Sequence, residues 1–248
     1  MNSWVIIFLL MFLILILIDI WIPKLTVKRE LRNIPAFENM RSSMETSVED
    51  GSRIHFAIGR SEVTSPEIAA GIIGLNLLKR VSYITSDSDL PPISSAGTGA
   101  LMLLSQDTIR NIYQKIGQQE AYSNILGRFS GPTPFSFAAG SALTISEDNV
   151  STNLMIGSFG VEAGLLTHAG EQNKVLTVAG TDDILGQAVI YASAHEPLIG
   201  EEVFASGAYF GGKDIHRASL FAQDIIRILI IITILAGSLY GLFRGLIK

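Results

Sequence analysis

The chain contains no cysteine. That excludes disulfides, thiolate nucleophiles and cysteine-based zinc or iron–sulfur sites. Charge is scarce as well: 17% of residues are Asp, Glu, Lys or Arg, against about 25% in an ordinary soluble domain. The net charge of −5 gives no basis for nucleic acid as a partner, because phosphate backbones are held by basic faces. The four histidines, His55, His168, His195 and His216, are spaced like no metal motif. No glycine turn is followed by a P-loop lysine, and no Gly-x-Ser-x-Gly elbow occurs. No catalytic residue, metal ligand or cofactor is assigned from these patterns.

What the chain has in quantity is aliphatic sequence at its two ends. Trp4 to Ile22 carries one charge, Asp19, and covers roughly 28 Å as a helix, about one hydrocarbon core. Residues 1–23 are therefore expected to be a transmembrane helix. The segment lacks the basic start and small-residue cleavage site of a signal peptide, so retention as an anchor is expected. Trp4 and Trp21 flank it as interfacial aromatics do, and Pro23 stops the helix. At the other end, residues 213–227 read as an amphipathic juxtamembrane helix that continues into a second span over 228–246. Lys24, Lys28, Arg29, Arg32, Lys213, Arg217 and Arg227 lie on the domain side of the spans, and Arg244 and Lys248 lie beyond them. The positive-inside rule then predicts a cytoplasmic domain with both termini outside, with membrane lipids as partners. Residues 24–50 are polar and weakly periodic, and are expected to be a tether.

Residues 51–212 alternate short β-prone runs with helices. Arg53 to Ile58, Ile93 to Ala96, Leu126 to Ser130, Val150 to Ile156, Lys174 to Ala179 and Pro197 to Ile199 are the predicted strands. Ser65 with Pro66, and Thr133 with Pro134, read as cap and first-turn pairs. Gly180-Thr181-Asp182-Asp183 places a cap and two acids at a helix start, which suits the helix dipole. Alternation of this kind predicts an α/β fold: a Rossmann-like, open, mostly parallel sheet of about five or six strands.

In such sheets ligands bind beyond the carboxyl ends of the strands. The weak candidates there are Gly59, Arg60 and Ser61; Gly97, Thr98 and Gly99; Gly157, Ser158 and Gly160; and Gly180, Thr181 and Asp182. A glycine turn before a helix can cradle an anion, so a phosphorylated small molecule or nucleotide is the ligand class these turns suggest. The competing explanation is that glycine is needed simply to turn a strand into a helix. Gly97-Thr98-Gly99 also lacks the third glycine of the dinucleotide fingerprint. In the second span Gly237, Gly241 and Gly245 recur every four residues. They form one helix face that lets another helix approach closely in lipid.

Pro91-Pro92, Gln106-Asp107, Phe137-Ala-Ala-Gly140, Ile156-Gly-x-Phe-Gly-x-Glu162, Ala179-Gly-Thr-Asp-Asp183, Ile199-Gly-Glu-Glu202 with Ala208-Tyr209, and Gln223-Asp224 together resemble a family of bacterial membrane proteins classed only as a domain of unknown function. The resemblance spans roughly residues 50 to 246. It implies a membrane-anchored domain and supplies no activity, substrate or catalytic residue. The expected role is a structural or assembly protein that self-associates at the membrane. The alternatives are a membrane-anchored ligand-sensing or enzymatic domain and an accessory subunit of a transporter.

Overall fold

A computed structural model describes residues 10–17, 31–210 and 214–246, the last of these without side chains for 214–216 and 241–246. The chain divides into two compact units: residues 33–210, and residues 1–32 taken with 211–248. Strands β1 (Arg53–Gly59), β2 (Ile93–Ala96), β3 (Gly127–Phe129), β4 (Val150–Ser158), β5 (Leu176–Thr181) and β6 (Glu196–Leu198) form one sheet in the order β3-β2-β1-β4-β5-β6. Every neighbouring pair is parallel. Parallel neighbours need crossover connections, which is why helices intervene between successive strands. The expected Rossmann-like α/β sheet is therefore present with six strands, in the strand order of doubly wound dinucleotide folds.

The helices of the first unit are α2 (Pro35–Glu49), α3 (Ile68–Ile84), α4 (Gly99–Lys115), α5 (Pro134–Glu147), α6 (Ala163–Gln172), α7 (Ile184–Ser193) and α8 (Glu202–Tyr209). Alternation along the strands sorts the core into two layers. Ile54, Phe56, Ile58, Leu154, Ile156 and Val178 are buried on one face with α2, α3, α4 and α8. The opposite face carries the smaller Ala57, Met155 and Ala179, packed by Phe137 of α5, Leu166 of α6 and Ile190 of α7. Small residues on that face let the helices approach closely: a Cβ on Gly170 of α6 would run into the Thr177 hydroxyl of β5.

Several expectations are corrected. The supposed tether over residues 24–50 contains a helix of the fold. In α2, Phe37, Met40 and Met44 are buried in the main core, and Phe37 stacks on Tyr209 at a centroid distance of 4.5 Å. Its sequence reads as polar because only one stripe is apolar while the exposed side is charged. Residues 24–30 lie outside the described residues. Ser65 and Pro66 do not open α3, which starts at Ile68 without a side-chain cap. The Ser65 hydroxyl instead donates to the Glu62 carbonyl at 3.0 Å. Thr133 behaves as expected, closing a capping box with Ser136 ahead of Pro134. Asp183 is itself the cap of α7, accepting from Gly186 N at 2.7 Å, and does not sit within the first turn.

In the second unit, α1 (residues 10–17) is a short exposed helical stretch. The rest of the predicted first span lies outside the described residues. Helix α9 (Asp214–Leu246) is continuous. Among the described residues one segment is long and apolar enough to cross a membrane: Arg217–Tyr240, 24 residues, almost entirely unburied. The juxtamembrane helix and the apolar segment, expected to continue into one another, are one uninterrupted helix.

Candidate functional site

The strand order reverses between β1 and β4, so the crevice expected to hold a ligand lies beyond the carboxyl ends of those two strands. Five of the twelve residues predicted to line it fall inside the strands and not in turns after them. Gly59 ends β1, Gly157 and Ser158 end β4, and Gly180 and Thr181 end β5. At the switch point backbone meets backbone. Gly59 has φ +81°, and a Cβ there would run into the Ser158 carbonyl. A Cβ on Gly157 would run into the Ile58 carbonyl, and one on Gly74 of α3 into the carbonyl of Ile156. These glycines allow the two strand ends and α3 to close on one another.

The remaining candidates are also engaged internally. Thr181 clamps Phe159: its hydroxyl accepts from Phe159 N and donates to Phe159 O, both at 2.9 Å. Phe159 is thereby held fully buried, in contact with Phe137. Gly160 N donates at 3.0 Å to the carboxylate of Glu162, itself nearly buried. Gly180 is crowded by Val203 and Leu198. Arg60 lies across Gly97, where no side chain fits beneath it, and its guanidinium donates to the Pro132 carbonyl at 2.9 Å. The Thr98 hydroxyl donates to the Ser61 carbonyl at 3.1 Å and caps α4 through Leu101 N at 3.4 Å. Gly99 has open space around its Cβ position.

The structure thus brings Arg60, Ser61, Gly97 and Thr98 into one cluster, and Ser158, Phe159, Gly160 and Thr181 into a second. Three polar atoms at this edge are buried without a hydrogen-bond partner: Arg60 Nε, Ser61 Oγ and Asp182 Oδ1. Ser61 Oγ faces α3, lying 3.1 Å from a Cβ built at Gly71.

A second polar arrangement is not foreshadowed by any motif. His55, Asn153 and Thr177 are register partners on β1, β4 and β5, so they form one row across the sheet. His55 Nδ1 lies 2.8 Å from Asn153 Oδ1, and Nε2 lies 2.8 Å from Ser95 Oγ. Asn153 Nδ2 donates to Thr177 Oγ1 at 3.5 Å. With the Asn153 amide spent on Thr177, its oxygen faces the imidazole. This assigns the proton to Nδ1 and makes Nε2 the acceptor of the Ser95 hydroxyl. Both ring nitrogens are satisfied by a neutral imidazole. Burial pushes the pKa of His55 down to about 4, and the Asn153 hydrogen bond opposes that shift. Only the strand register could have revealed the row, because its members lie far apart in the chain.

At the opposite edge of the sheet Asp148 joins two arginines. Arg128 Nη1 reaches it at 2.6 Å and Arg53 Nη1 at 3.7 Å. Burial lowers the pKa of Arg53, and Asp148 works against that shift. Burial also pushes the nearby Tyr113 hydroxyl up to about 12. Among the described residues no group of three or more His, Asp and Glu is placed to hold a metal ion.

These features define a doubly wound, all-parallel α/β protein with a tightly closed switch point and a C-terminal helix long enough to span a bilayer. Residues 1–247 match the family described as "Domain of unknown function (DUF6754)", and the chain belongs to that family. Comparison with curated proteins and with solved structures gives no match.

Proposed function

We propose that this chain is a membrane-anchored assembly protein, held in the bacterial inner membrane by its terminal helices, whose cytoplasmic α/β unit self-associates. The observation that carries the reading is the use made of the switch point. Gly59 and Gly157 serve strand-to-strand closure, and Phe159 occupies the space between β4 and α5. A fold whose strand-end glycines serve its own packing is suited to presenting surfaces. Helix α9 adds a second support. Gly237, Gly241 and Gly245 fall at every fourth residue of one continuous helix, and a Cβ at Gly237 would meet nothing. An open small-residue face on an apolar helix favours helix–helix packing in lipid.

The test is the mass of the detergent-solubilised full chain by light scattering or native mass spectrometry. A defined oligomer that dissociates in Gly237→Leu supports the reading. A monomer at every concentration removes it.

One observation favours a different reading, a sensor of small anions. Arg60 Nε and Ser61 Oγ are buried and unpaired at the switch point. A screen of thermal midpoints against nucleotides and sugar phosphates decides between the two. Stabilisation that Arg60→Gln abolishes would favour the sensor.

A further inference from the structure

The outer surface of the α5–α6–α7 layer is apolar where a solvated surface is expected to be polar. Helix α7 is the extreme case: Ile184 is 81% exposed, Leu185 65% and Tyr191 72%. Its neighbours extend the patch, with Leu165 on α6 and Phe135 and Leu143 on α5 all exposed. The three helices pack side by side, α5 on α6 and α6 on α7, so these residues share one face. Patches of this kind on a folded domain mark interaction surfaces.

The charge pattern identifies the occupant. Helices α5 and α6 carry two exposed acids, Glu147 and Glu171. Helices α5, α6 and α7 contain no Lys or Arg at all. A lipid surface is a poor fit, because the anionic cytoplasmic leaflet attracts basic faces. A two-fold contact of this face with itself is also a poor fit, since the three helices offer acids and no Lys or Arg to meet them.

The other layer carries the complement. Helices α3 and α4 hold four basic side chains and one acid, Asp107. Lys79 and Arg80 of α3 and Arg110 and Lys115 of α4 are exposed on its outer side. Apolar side chains lie among them: Ile72, Tyr83, Leu103 and Leu104 are exposed too, and Arg80 stacks on Tyr83 at 5.9 Å.

We infer that the α5–α6–α7 face of one copy docks on the α3–α4 face of the next, a head-to-tail contact with an apolar centre and opposite charges at its rim. Such a contact is heterologous, so it closes into a ring or runs on as a filament. The inference rests on the assembly reading above and names the surfaces that reading would use.

The absence of cysteine makes the test direct. Full-length Leu185→Cys and Leu104→Cys chains carrying different tags are co-expressed in membranes and treated with a short bismaleimide. The expected product is the mixed dimer, in clear excess over either self-linked dimer. Arg80→Glu with Arg110→Glu on the Leu104→Cys chain should cut it about tenfold, and Glu147→Lys with Glu171→Lys on its partner should restore it. All four charged positions are exposed, so an unchanged thermal midpoint confirms that the variants fold.

Self-linking of Leu185→Cys copies would overturn the arrangement in favour of a two-fold contact. A nitroxide at position 185 that becomes oxygen-accessible and nickel-inaccessible in liposomes would overturn it in favour of lipid. Absence of any crosslink while the full chain stays oligomeric would sink this inference and leave the assembly reading standing. A monomeric full chain would remove both.

Discussion

His55 is neutral in the fold, and its hydrogen bonds depend on that state. Its folded pKa of about 4 lies below the ordinary value of 6.5. Above pH 6.5 folded and unfolded chains are both neutral at this site, so the His55 contribution to stability is fully present. Between pH 6.5 and 4 the unfolded chain takes up a proton that the folded chain refuses, and stability falls as the pH drops. The loss through this window is about 3 kcal/mol. Chemical denaturation across that range should show the slope, and His55→Gln should flatten it while lowering stability at neutral pH. The strand-end glycines give a second residue-scale prediction. Gly157→Ala forces a methyl into the Ile58 carbonyl and should cost at least about 1–3 kcal/mol. Gly99→Ala, with open space at a helix start, should be neutral or stabilising by roughly 0.5–1 kcal/mol. If the two substitutions behave alike in thermal unfolding, the close approach of β1 and β4 is wrong.

At the scale of elements, α2 is the sharpest departure from expectation. Its composition is that of a tether, yet Phe37, Met40 and Met44 fall on one stripe and fill the core beside β1 and β4. Met44→Ala is expected to cost about 2–5 kcal/mol, the range for a large buried side chain. A chain shortened to begin at residue 51 should expose Phe56 and its neighbours and unfold or aggregate. Folding of that fragment to the parental denaturant midpoint would show that α2 is an accessory. Helix α5 makes the opposite comparison, since its start was legible from Thr133-Pro134. Thr133→Ala removes one half of the capping box and should lower stability by about 1 kcal/mol.

For the whole molecule, the two compact units carry separate parts of the proposed assembly. Gly237→Leu fills the open face of α9 and tests helix packing in lipid. Leu185→Asp tests the exposed patch on the α/β unit. If both contacts contribute, each variant should lower the oligomer mass at low protein concentration, and the double variant should be monomeric. A single variant that abolishes assembly while the other has no effect would assign the contact to one unit.

Sequence alone determined the class of fold. Alternating strands and helices, with glycines at the strand ends and a cap at Thr133, specify parallel strands joined by crossover helices, because those signals are local in the chain. It also determined the apolar character of the C-terminal segment and placed the three glycines of α9 on one face, since helical spacing is arithmetic. Only the tertiary structure decided what the strand-end glycines do. Gly59 and Gly157 look like anion-cradling turns in the chain, but they face the neighbouring strand's backbone, and strand register is a long-range property. The same cause hid the His55–Asn153–Thr177 row and the core role of α2. Each depends on which residues meet across the sheet, which burial and packing settle between segments that the sequence keeps far apart.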